Sequence, residues 1–404
     1  MQLGFITLNT QERSISNRVL QAIRDQQAID ELGIGRLRDA FSNTLFPGMS
    51  TLQRHAKYFA VLPSLYYEVE KGSYNRIQDV RKRVIELEVK LTRQMMNWTE
   101  SASDGSYVTG ITGHDAIDAA ERDYTKYVKY DPSYIYWNGM VTYDIVKASG
   151  NIYQILLERS KTRGPEKEEG DNGGQENVQL FSTSGEKYDF DNATELSMKL
   201  TVKEARFIRD KITSSKDSKD SMLAYILKMQ SPVSPEYDNL GSLMGSAFEQ
   251  KYGEVYRLSV IFSHFVQVLR CRMQMVFSKL KEQEETNRED AELFSDVFFR
   301  YRNELTRNNI EQILDYFYGR VTEYSLLEFC RKASLLLEKE KWEELDDLLI
   351  HREKQVKGAK RSKLINHQRY TDYRFNTSGL TYRWELVYVM IKEIREGLGE
   401  WQEN

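Results

Sequence analysis

The chain has 404 residues, 40% apolar and 29% charged, with 6 Pro and 23 Gly. This composition excludes a disordered chain or a small stapled scaffold, and a length beyond the usual single core predicts two helical subdomains with few turns. A formal charge of -4 excludes a whole-chain field that would pull the protein onto polyanions, so any such binding needs a local patch.

Cys271 and Cys330 both lie in apolar stretches with helical spacing, which predicts buried reduced thiols and a reducing compartment. The opening "MQLGFITLNTQERSIS" lacks the basic segment and apolar run of an export signal. The most apolar stretch, Leu258 to Leu269, carries His264 and Gln267 and is too short for a bilayer span. A soluble, cytoplasmic protein without a membrane partner is expected. The 25 Tyr suit either inter-helical packing or a partner surface.

In chain order, a short strand is expected at Leu3 to Leu8. Helices follow through Ile15, Val19, Leu20 and Ile23, and through Leu37, Ala40, Phe41 and Leu45. "FPGMS" breaks the pattern, and Ser50 or Thr51 is expected to cap a helix running towards Leu62. Tyr74 to Trp98 reads as an amphipathic helix with Ile77, Val80, Val84, Leu87, Leu91 and Met95 on one face. "DPSYIYWNGMVTYDIV" opens a helix at its Pro and holds the aromatic cluster Tyr134, Tyr136, Trp137 and Tyr143.

The acidic, Gly-rich stretch Lys161 to Asn177 reads as a flexible segment. It divides an amino-terminal helical domain (1–160) from a carboxyl-terminal one (191–404), with the linker spanning 161–190. Thr201 with Glu204 forms a capping-box pattern. After the breaker "MQSPVSPEYDNLGS", Ala247 to Glu285 predicts one very long helix or two joined ones, with Val255, Leu258, Phe262, Phe265, Leu269, Met273, Val276 and Leu280 apolar. Helices are also expected over Asp290–Leu305, Ile310–Val321, Leu326–Leu337 and Leu380–Leu398. The fold class is mainly α and multi-helical, with at most a few short strands.

No catalytic signature emerges. "GITGHDA" lacks the lysine of a phosphate-binding loop, neither CxxC nor HxxxH occurs, and no GxSxG is present. Glu88-Val89-Lys90 has the triplet of a nuclease core but falls in the amphipathic helix, where the three side chains diverge. Arg257 with His264 and Arg361 with His367 match an Arg-x4-6-His ribonuclease spacing, of which roughly one match is expected by chance. No metal site and no cofactor are expected.

The strongest charge feature runs from His351 to Arg374: Arg352, Lys354, Lys357, Lys360, Arg361, Lys363, Arg369 and Arg374 against Glu353 and Asp372. It is either a footprint for DNA or RNA phosphates, with Tyr370, Tyr373 and Phe375 available for stacking, or a face paired with the preceding acidic "EKEKWEELDD". On the first reading, reversing Lys357, Lys360 and Lys363 should abolish salt-sensitive binding. The basic face of the helix from Tyr74, with Arg76, Arg81, Lys82, Arg83 and Arg93, reads as solvent-exposed.

Several stretches together resemble an uncharacterised bacterial family known by a domain-of-unknown-function label: "LGFITLN", "DELGIGRLRDAFSNTLFPGMSTLQRHAKYFAVLP", "GITG" with "DPSYIYWNG", "LTVKEARFIRDKI", and "HREKQVKGAKRSKL" with "LTYRWELV". The resemblance runs through most of the chain and is most specific over Gly33 to Pro63. It implies a component of bacterial defence loci beside helicase and phospholipase D-like nuclease genes, with no catalytic residue to carry over.

The leading expectation is therefore a non-enzymatic accessory subunit of an anti-phage defence system. It would bind protein partners such as a helicase or nuclease of the same locus, and nucleic acid through the basic segment. Arg54, His55, Tyr58, Tyr136 and Trp137 form either a partner or ligand surface or part of the core. Alternatives are a metal-dependent helical nuclease with a non-contiguous site at Arg54, His55 and His114, and a DNA-binding regulator whose first helices form a helix-turn-helix.

Overall fold

The computed structural model describes residues 30–102, 107–148, 150–162, 180–192, 194–229 and 246–401. Among these residues the chain forms α-helices without a strand, apart from one antiparallel bridge between Val146 and Phe181. The mainly α expectation holds. The expected strand at Leu3–Leu8, the helix through Ile15–Ile23 and the breaker around Ser242 lie outside the described residues.

The chain forms two compact units that interleave in sequence. The described residues of the first fall within 46–229 and 385–401, and those of the second within 30–45 and 246–384. This division differs from the sequential one expected above, because a patterned helix records that it must bury a face and not which distant segment covers it. Residues 180–190, counted in the expected linker, are packed: Phe181 and Phe190 are buried, and Ser182 N–H donates to the Ile145 carbonyl at 2.8 Å.

The first unit is built on α2 (Lys57–Glu70), with α3 (Ile77–Ser101), α4 (Ile117–Arg122), α5 (Pro132–Thr142), α6 (Ile152–Thr162), α7 (Val202–Ser214), α8 (Met222–Lys228) and α14 (Trp384–Gly397) around it. Sequence reasoning expected a cap at Ser50 or Thr51 and an end near Leu62. Instead, the Ser50 N–H donates to Gln53 Oε1 at 3.0 Å, and the helix starts at Lys57 and runs through Pro63. Proline removes one ladder bond, but Tyr58, Phe59, Leu62, Leu65, Tyr66 and Val69 are all buried, and that packing outweighs the local loss. α5 approaches α2 closely because Gly139 has no side chain: a Cβ there would stand 2.8 Å from the Phe59 ring. Tyr136 then packs at 4.7 Å from Tyr58 and 5.1 Å from Phe59.

In the second unit α1 (Gly35–Leu45) lies against α9 (Ser246–Leu280), a single helix of 35 residues. Phe41 meets Phe262, Phe317 and Tyr382 at centroid distances of 5.6, 4.6 and 5.4 Å. Around α9 stand α10 (Glu284–Tyr301), α11 (Arg307–Tyr316), α12 (Tyr324–Glu338) and α13 (Trp342–Lys357). Sequence reading did not anticipate α13, whose carboxyl-terminal part carries the start of the basic segment. Cys271 and Cys330 are free and buried, and burial pushes each thiol up to about 12. Among the described residues no helix is long and apolar enough to cross a membrane.

Candidate functional site

Arg54, His55, Tyr58, Tyr136 and Trp137 converge in the first unit, largely in its interior. The Tyr136 hydroxyl accepts from the backbone N–H groups of Arg54 and His55 at 3.0 and 3.1 Å. His55 Nδ1 lies 2.6 Å from Glu393 Oε1, its Nε2 lies 3.3 Å from the Thr109 carbonyl, and Glu393 Oε2 accepts the Ala56 N–H at 2.6 Å. One carboxylate from α14 thus satisfies an imidazole and a donor at the start of α2, where no side-chain cap exists. Tyr58 accepts the Thr112 N–H at 3.0 Å, and burial pushes its hydroxyl up to about 12. Trp137 is half-buried, with its ring 6.3 Å from Tyr66.

His114, named with Arg54 and His55 for the nuclease alternative, is engaged elsewhere: Nδ1 contacts the Ile111 carbonyl at 2.9 Å and Nε2 contacts Asp115 at 3.0 Å. Among the described residues no group of three or more His, Cys, Asp or Glu is placed to hold a metal ion. Arg54 is half-buried, burial lowers its pKa, and its Nη1 has no hydrogen-bond partner.

Two buried polar centres in this unit carried no signal in the sequence. Lys57 donates to both oxygens of Glu204 at 2.7 and 2.8 Å, and that glutamate also completes the capping box of α7 with Thr201. Only the capping half was foreseeable. In α3, Glu88 accepts from the Ser133 N–H and hydroxyl at 2.8 and 2.7 Å, while its other oxygen is buried without a partner. Burial, reinforced by the nearby Asp131 carboxylate, holds its pKa well above the usual range.

In the second unit the basic segment separates into two sets. Arg352 is 2% exposed, donates to the Leu32 and Gly33 carbonyls at 2.8 and 3.2 Å, and has its pKa lowered by burial. Gly33 has φ +62°, and a Cβ there would lie 2.7 Å from Arg352 Nη2, so a side chain at this position would be strained and would displace the guanidinium. Lys357 and Lys363 share Glu31, at 3.0 and 2.6 Å. Arg374 pairs with Asp290, whose carboxylate also takes the Ser278 hydroxyl and Gln274 Nε2. The reversal of Lys357 and Lys363 suggested by sequence would therefore break internal contacts. The expected stacking role fails for Phe375, which is 4% exposed, and Tyr373 has its ring under Lys363.

Lys354, Lys360, Arg361 and Arg369 are exposed, with no ion pair among the described residues. They stand on a fixed base. Buried Glu353 accepts the Ser362 hydroxyl and, at 2.8 Å, the Lys363 N–H. Asn366 Nδ2 donates to the Ala359 and Ser362 carbonyls, each at 2.7 Å. Arg361 Nε donates to the Lys357 carbonyl at 3.1 Å, satisfying the end of α13. In the same unit a cleft of about 470 Å³ is lined by Asp30, Asp39 and Glu323 as well as Arg36 and Arg352. Its mixed charge suits a polyanion less well than the exposed loop does.

Residues 1–231 match the model of a family of unknown function, DUF6361. The chain belongs to this family. No curated protein and no solved structure matches it. In this DUF6361 member the interior polar centre from Arg54 to Tyr136 falls within the matched residues, and the basic segment lies beyond them.

Proposed function

We propose that this DUF6361 protein is a non-enzymatic binding subunit that contacts nucleic-acid phosphates through Lys354, Lys360, Arg361 and Arg369. The observation that carries the reading is the division of the basic segment: one set of cations is consumed in holding it, and the other faces solvent, Lys354 on the last turn of α13 and Lys360, Arg361 and Arg369 on the pinned stretch after it. A backbone already held in place loses less conformational freedom on binding. Phosphate contacts of this kind position a duplex without reading its sequence. The further assignment, an accessory subunit of a bacterial anti-phage defence system beside a helicase or nuclease partner, rests on the family resemblance in the quoted motifs.

The test is titration of labelled duplex DNA and RNA at several salt concentrations, with Lys354, Lys360 and Arg369 changed together to Glu. Loss of salt-sensitive binding with unchanged thermal unfolding supports the reading, and unchanged affinity removes it. Metal-dependent cleavage by the purified wild type that disappears in His55→Ala and His114→Ala would replace it with the nuclease alternative.

A further inference from the structure

The aromatic cluster expected around "YIYWNG" splits in the fold. Tyr136 and Tyr143 are fully buried, whereas Tyr134 is 63% exposed and Tyr130 43%. The two exposed rings stand together, with centroids 5.0 Å apart and planes inclined by 33°. Large aromatic side chains are ordinarily driven inward, so an adjacent exposed pair leaves considerable apolar area in water.

The pair sits on a rigid base. Tyr134 is in the first turn of α5, where Asp131 caps its N–H at 2.7 Å and Pro132 fixes the backbone. Asp131 is itself buried and accepts from the Tyr153 hydroxyl at 3.1 Å. The Arg81 guanidinium lies 5.9 Å from the Tyr153 ring, and Lys129 Nζ lies 5.1 Å from the Tyr130 ring.

The charge in this part of the unit is mixed. Asp118 and Glu121 both pair with Arg93, and Asp123 accepts the Thr125 N–H and hydroxyl, which hold its carboxyl below the usual range and keep it charged. Arg81, Lys126 and Lys129 are exposed, without a salt bridge among the described residues. Exposed rings with the Lys129 ammonium against one of them match the two halves of a nucleotide: a flat base to stack and a phosphate to pair. Bases inside a duplex are already stacked, so the complementary ligand is single-stranded.

We propose that Tyr130 and Tyr134 form a base-stacking platform for single-stranded nucleic acid, with Lys129 contacting its phosphates. The site lies in the first unit, uses none of the residues of the basic segment, and rests on the reading of the protein as a nucleic-acid binder.

The full-length protein is titrated with a labelled single-stranded oligothymidine and with a duplex of equal length. Tyr130→Ala with Tyr134→Ala should weaken single-strand binding at least ~10-fold and leave duplex binding unchanged, because each stacked ring contributes substantially and independently of sequence. Tyr130→Phe with Tyr134→Phe retains the rings and should bind as the wild type does. Ultraviolet crosslinking of a 5-iodouridine oligonucleotide to wild-type protein should map to these two tyrosines.

Unchanged single-strand affinity in the alanine variant, or crosslinks elsewhere, overturns the platform. So does loss of self-association in that variant without loss of binding, which would make the pair a surface for a second copy. Wild-type binding of duplex alone overturns the platform but leaves the basic-segment reading intact. Loss of single-strand binding in the tyrosine variant, together with undiminished duplex binding in the basic-segment variant, does the reverse, and no binding of either ligand overturns both.

Discussion

The stretches Arg54–Tyr58 and His351–Arg374 both place cations beside histidine, yet the fold treats them in opposite ways. In the first, Lys57 and His55 turn inward and each finds a carboxylate, from Glu204 and Glu393. In the second, Glu31 and Asp290 partner Lys357, Lys363 and the exposed Arg374, backbone carbonyls take Arg352, and four cations are left without an ion pair among the described residues. A buried charge requires a partner, so the acids and backbone carbonyls brought within reach limit how many cations the interior can hold. The surplus forms the surface available to a polyanion.

The largest effect that would break this contrast comes from Lys57→Ala. It leaves Glu204 buried without its cation and should cost about 3–5 kcal/mol in urea unfolding. Lys354→Ala, at an exposed and unpaired position, should stay within about 0.5 kcal/mol of the wild type. Equal losses at the two positions would remove the distinction between consumed and surplus cations.

A sharper test is Glu353→Ala. It removes the acceptor of the Ser362 hydroxyl and Lys363 N–H and should cost about 1–3 kcal/mol, with faster amide exchange across residues 358–366. The variant is more positive, so a purely electrostatic account requires tighter nucleic-acid binding. If the pinned loop matters, binding weakens instead.

Glu88 provides a test through pH. Its folded pKa is raised by burial, so the fold favours the protonated acid. The stabilisation is complete below the ordinary glutamate value near 4.5 and is lost as pH rises through the folded value. Glu88→Gln keeps a neutral group there. Its stability relative to wild type should therefore rise in its favour as pH increases above the ordinary glutamate value near 4.5, and a constant difference would show that Glu88 ionises without cost.

The legibility of these features follows their range in sequence. The helices were visible because periodicity is local: the apolar set Val255 to Val276 predicted the interior face of α9, and Thr201 with Glu204 predicted the capping box that forms. The partner of His55 was not visible, since Glu393 lies 338 positions away and nothing in either neighbourhood specifies the pairing. The same reason hid the claims of Glu31 and Asp290 on the basic segment. Tyr134 and Tyr136 sit two residues apart, and only the orientation of α5 decides that one ring is exposed and the other covered.

The smallest expected effect bears most directly on the exposed cations taken singly. Lys354→Ala, Lys360→Ala or Arg369→Ala should each leave unfolding unchanged and lower duplex affinity only a few-fold. Each should also reduce the slope of log affinity against log salt by up to ~0.9, the contribution of one neutralised phosphate. Arg361 should differ. Its guanidinium also satisfies the Lys357 carbonyl, so Arg361→Ala should alter the slope and slightly lower stability together. If all four variants behave alike in unfolding, that hydrogen bond contributes nothing to holding the loop, and Arg361 belongs wholly with the surplus.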